Sequence, residues 1–146
     1  FSQEAFGKAL DAVGQIRSHK GFQVLDEELR LFVTIFQIVN LYEDGQYKSA
    51  ETQFKKLRKT YKTLLKEPFY AKAKKFLDIV MRLNRAAIEG KSVFLKSAYN
   101  HFVKDFPSSE VGDNQIIMYE LYLAAKLEDD KTYYQMLCEA VDKIRA

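Results

Sequence analysis

Side chains able to do chemistry are few and scattered in this sequence. One cysteine, Cys138, and two histidines, His19 and His101, are the whole supply for a thiolate–imidazole nucleophile, which needs the sulfur held beside a base. Cys138 falls on the same apolar stripe as Tyr134, Leu137, Val141 and Ile144 and reads as a core residue. His101 and Asp105 stand one helical turn apart, but two ligands do not close a metal site, and a solvated surface pair describes them better. The acidic runs Asp26-Glu27-Glu28 and Glu128-Asp129-Asp130 sit where helices begin, and capping and the helix dipole account for them without calcium. No glycine-rich phosphate loop is present, since each turn holds a single glycine. The expectation is a protein that is not an enzyme and carries no cofactor and no metal.

Charge is the stronger signal. The chain has a net charge of +3. Between Lys48 and Lys75, however, ten Lys/Arg face two acids, Glu51 and Glu67, so the remaining sequence is net acidic. Lys55, Lys59, Lys62 and Lys66 step by 4, 3 and 4 along one helix face, with Lys48, Arg58, Lys72 and Lys75 nearby. Such a face could neutralise phosphates of a nucleic acid or another acidic polymer in a salt-sensitive way. The competing reading, a solvated helix face where lysine serves propensity and solubility, is the one favoured here. The stripe lacks the interleaved exposed aromatics of a single-strand binder, since Tyr61 belongs to the apolar step.

A second polar feature is the line Thr34, Gln37 and Asn40 on a segment otherwise apolar nearly all round. It either faces a binding groove or forms an interior set satisfied by neighbouring backbone.

The elements that carry these residues are all helical. Ser2 to about Lys20 places Phe6, Ala9, Leu10, Val13 and Ile16 on one face, the 3-4 spacing of an amphipathic helix, and Gly21 is a stop signal. Asp26 is the expected N-cap of a second helix, about Glu27 to Glu43. After a turn at Gly45, the third helix, about Tyr47 to Lys66, sets Tyr47, Ala50, Phe54, Leu57, Tyr61 and Leu64 inward. Pro68 suits the first turn of a fourth, which runs to about Glu89 and buries Phe69, Ala73, Phe76, Leu77, Val80 and Ala87 before a turn at Gly90. Ser92 could cap a fifth helix, with Leu95, Ala98, Tyr99, Phe102 and Phe106 inward and Pro107 ending it. A sixth follows over about Asn114 to Leu127, and a seventh after the acidic turn at Glu128 to Asp130. The turns near Gly45, Gly90 and Asp129 recur at intervals of 45 and about 40 residues, so the unit is a repeating helix pair, which buries its apolar faces only by stacking on others.

The bulk numbers agree. A chain of 146 residues, 47% apolar and 29% charged, is one domain by size and can bury a substantial core. Nine Tyr and eleven Phe supply bulky packing material, and two prolines leave little room for linkers. A single cysteine fits a reducing, cytoplasmic setting. No run approaches the roughly 18 apolar residues of a membrane span, so no membrane association is expected. The chain starts at Phe1, and residues 1–146 are read as a single helical-repeat domain from a longer protein.

The residues Gly45, Tyr47, Ala50 and Phe54 carry a family resemblance. A turn glycine, a Tyr two residues on, a small residue three beyond and an aromatic four beyond that is the second half of a tetratricopeptide repeat, and Phe32 to Leu57 resembles one. Thr34, Gln37, Ile38 and Leu57 depart from the family pattern, and the intervals exceed the family's repeat of about 34 residues. HEAT and armadillo repeats have a closer period, but this turn suits them less well. The resemblance implies an all-α fold of about seven helices, antiparallel pairs stacked as a short right-handed α-solenoid, serving as a protein- or peptide-binding scaffold with a concave groove lined by the second, fourth and sixth helices. Some members grip a C-terminal carboxylate from that groove. Here the matching positions hold Ile35 and Val39, then Val80 with Asn84, so the resemblance implies an apolar or helix-filled groove instead. The expected partner is a protein or peptide, with nucleic acid bound through the basic face as the alternative; oligomeric state is left open.

Overall fold

Helix boundaries follow local chemistry closely in this computed structural model, which describes residues 3–24, 26–91, 95–107, 119–128 and 141–142. Six α-helices form among the described residues, with no strand: α1 (Gln3–Ser18), α2 (Glu27–Glu43), α3 (Tyr47–Thr60), α4 (Ala71–Glu89), α5 (Leu95–Asp105) and α6 (Tyr119–Leu127). The chain divides between residues 93 and 94 into two compact units. In the first, α2 packs on α1 and α3, and α4 packs on α3; in the second, α5 packs on α6. None of the described helices is long and apolar enough to cross a membrane.

Asp26 caps α2 as its sequence position predicts, its carboxylate accepting the Leu29 N–H at 2.8 Å, with Glu27 and Glu28 in the first turn where the helix dipole favours them. At the other end Gly45 takes φ of 78°. Its N–H donates to Tyr42 O at 3.1 Å and that of Gln46 to Leu41 O at 2.9 Å, the paired bonds of a Schellman motif. Across this turn the Tyr42 and Tyr47 rings lie 5.9 Å apart. Burial, with Glu43 and Tyr47 beside it, pushes the Tyr42 hydroxyl up to about 12, which keeps it protonated at the hinge of the pair. Gly90 ends α4 in the same left-handed conformation, φ 66°.

Burial follows the expected stripes with instructive exceptions. Helix α2 buries nine of its seventeen residues, Leu31 to Ile35 and Ile38 to Leu41, so it is the centre of the first unit; Leu29, near its start, is 40% exposed. Ala50, the small residue expected where helices cross, is fully buried, as is Leu57 at 1% exposed. On the α1 side, Val13, Phe22 and Val33 pack together with Phe36 against them. Each such side chain removed from water contributes about 1.5–3 kcal/mol.

Several expectations need correction. Helix α3 stops at Thr60, not Lys66. The apolar steps continue to Leu64, but Leu65, one position off the stripe, is the better buried of the two. The chain turns after Tyr61 to bring Leu65 inside, forming a 3-10 turn at Leu64–Lys66. Extended backbone at Glu67, with φ −70° and ψ 137°, is what a following proline imposes. A second 3-10 turn at Pro68–Tyr70 precedes α4 and changes the angular phase, so Tyr70 is buried and Phe69, expected inside, is 57% exposed. Ala87 is exposed as well. Ile16 is 47% exposed, because α1 ends at Ser18 and a 3-10 turn over Lys20–Val24 brings Phe22 into the core instead. In the second unit Phe102 is buried with the Phe106 ring 5.3 Å away, while Val141 is 39% exposed rather than inward. The expected cap Ser92, the start of the sixth helix, the turn at Asp129 and Asp130, Cys138 and most of the seventh helix lie outside the described residues, as does the Phe6 side chain.

Candidate functional site: the seam between α3 and α4

The residue that joins these two helices is Asn84. It is 1% exposed, and its amide Nδ2 donates to the Tyr47 carbonyl at 2.9 Å. The first residue of α3 thus meets the last third of α4, which sets the helices antiparallel about the connection at 61–70. The Oδ1 of Asn84 is buried with no hydrogen-bond partner among the described residues.

Beside Asn84 the seam opens into a cleft of about 340 Å³ lined by Glu51, Phe54, Lys55 and Arg58 from α3 and by Asp78, Met81, Arg82 and Arg85 from α4. Both sets have the spacing i, i+3, i+4, i+7, which lays four residues along one helix face. Both also run in the same order, acid, apolar, cation, cation. The four cations outnumber the two carboxylates. Glu51 holds Lys55 at 3.3 Å and Arg85 at 3.8 Å, but the side chains of Lys55 and Arg85 are 73% and 71% exposed, so these pairs are worth little and exchange easily. The Arg58 guanidinium lies 5.8 Å from the centroid of the Phe54 ring, a cation–π contact at a partly wet site. Chemically the cleft has a net-cationic lining with an apolar patch, Phe54 and Met81, in reach.

The residues singled out from sequence distribute differently. Lys55 lines the cleft. Lys59, Lys62 and Lys66 are exposed but do not continue a stripe, because only Lys55 and Lys59 are on α3; Lys62 lies in the turn after it and Lys66 in the 3-10 segment. Thr34 and Asn40 are both 4% exposed and face no groove. Thr34 Oγ1 donates to Arg30 O at 2.8 Å and Asn40 Nδ2 to Phe36 O at 2.8 Å, each bonding its own helix one turn back. Gln37 is half-buried and its Oε1 accepts from Arg17, whose guanidinium also reaches Gln53 Oε1 at 3.4 Å. Thr34 and Asn40 are thus interior and satisfied by their own helix, whereas Gln37 joins α2 to α1 through Arg17, which itself reaches α3 at Gln53.

His101 Nδ1 donates to Ser97 O at 2.8 Å, and His19 Nδ1 accepts the Gly21 N–H at 2.9 Å; each histidine serves local backbone. No three His, Cys, Asp or Glu among the described residues are placed to hold a metal ion. The opposing Asp78, Met81, Arg82 and Arg85 escaped the sequence reading, although their order repeats that of Glu51, Phe54, Lys55 and Arg58. Comparisons with protein-family models, with curated proteins and with solved structures give no match.

Proposed function

We propose that this chain is a non-catalytic scaffold module that binds a protein or peptide, built as a short tetratricopeptide-like stack of antiparallel helix pairs continuing as a right-handed solenoid. The observation that carries the reading is the open, chemically mixed cleft along the α3–α4 seam, where one helix pair would meet the next. The buried Ala50, in the first turn of α3 just after the Gly45 turn, supports the repeat-like architecture, since a small residue there lets the paired helices approach closely.

A displayed random-peptide library panned on the whole chain tests the proposal. Enriched sequences should converge on a motif and, made as free peptides, bind with micromolar Kd by calorimetry, the strength of ordinary peptide recognition. Failure to enrich any peptide above a matrix control removes the reading.

A further inference from the structure

The α3–α4 cleft also specifies the ligand's chemistry. The helices are antiparallel and each presents acid, apolar, cation, cation at equal spacing, so the two rows run in opposite directions along the cleft. Glu51 corresponds to Asp78, Phe54 to Met81, Lys55 to Arg82, and Arg58 to Arg85. One end of this arrangement is closed by the Glu51–Arg85 pair at 3.8 Å. Lys55 and Arg82 fall near the middle, with Phe54 and Met81 beside them. Among the described residues Lys55 makes an exposed contact to Glu51, and Arg82 is exposed.

We propose that this cleft binds an acidic peptide segment, one carboxylate seated between Lys55 and Arg82 and an adjacent apolar side chain resting on Phe54 and Met81. The proposal builds on the reading of the chain as a peptide-binding module. A polyanion such as RNA fits less well for two reasons. The carboxylates of Glu51 and Asp78 flank the central cations and would repel a continuous run of phosphates. A volume of about 340 Å³ is at the small end of ligand pockets and suits a few side chains better than a polymer strand.

Fluorescence anisotropy on the whole chain decides the matter. The probes are a labelled peptide of alternating Glu and Leu, its Lys/Leu counterpart, and an oligouridylate of equal length. The Glu/Leu peptide should bind, the Lys/Leu peptide should not, and the oligouridylate should compete poorly. Lys55→Glu with Arg82→Glu should weaken the Glu/Leu peptide about tenfold or more, as removal of charge partners at a recognition site does, whereas Lys59→Glu with Lys62→Glu, off the cleft, should change it less than about twofold. If circular dichroism shows the double cleft variant misfolded, Arg82→Gln alone replaces it, with a loss of about threefold expected. Equal losses from both charge-reversed pairs, or competition by oligouridylate as strong as by unlabelled peptide, overturn the acidic-peptide proposal. Library-selected peptides indifferent to Lys55 and Arg82 overturn it as well while leaving the module reading intact; no selected peptide at all overturns both.

Discussion

At the scale of single residues, Asn84 shows how a cleft lining and a structural tie share one side chain. Its amide holds the start of α3 to α4, and its carbonyl oxygen is buried without a donor among the described residues. Removing a buried hydrogen-bonding group costs about 1–3 kcal/mol. Asn84→Ala should fall near about 1 kcal/mol, because the change also deletes the unpaired acceptor. Asn84→Asp should be worse than alanine, since it sets a buried carboxylate against the Tyr47 carbonyl. Urea denaturation gives both values, and an aspartate variant as stable as wild type would contradict this account of the tie.

Among the elements, the turn from α2 to α3 is the clearest case of sequence dictating structure. No atom lies within 4 Å of a Cβ built on Gly45, so the requirement for glycine is purely one of backbone: φ is 78°, where a Cβ meets the following carbonyl oxygen. Gly45→Ala should therefore cost about 1–2 kcal/mol, read as a lowered urea midpoint with an unchanged denaturant slope. A changed slope would mean that the pair had rearranged instead. The same reasoning explains what could be read beforehand. Asp26, Gly45 and Gly90 mark helix ends through local chemistry, and local chemistry is visible in a sequence. The end of α3 was not visible. Its apolar period runs on through Tyr61 and Leu64, and only the competition to bury Leu65 ahead of Pro68 turns the chain at Thr60. The cleft was half visible: Lys55 stood out as part of a basic stripe, while its meaning depended on a second helix with the same residue order. Periodicity within one helix does not say which other helix faces it.

For the molecule as a whole, the first unit is organised around α2, which touches α1, α3 and α4 and buries more residues than any other described helix. A helix enclosed in this way opens only when its neighbours leave, so its amides report the global unfolding free energy of the unit. Hydrogen exchange followed by mass spectrometry should find residues 31–41 the slowest of residues 3–91. The short 3-10 turns at Lys20–Val24 and Leu64–Lys66, each lying between helices with one side chain buried, Phe22 and Leu65, should exchange faster by orders of magnitude. Slowest exchange in α1 or α4 would place the centre of the unit elsewhere.

Thr34 and Asn40 give α2 a further property. Their hydrogen bonds return to carbonyls of their own helix, so they ask nothing of α1, α3 or α4. Helix α1, α3 or α4 can therefore shift against α2 without breaking a bond to either side chain. The buried face of α2 holds polar atoms, yet its packing on its neighbours is left to apolar contact at these two positions.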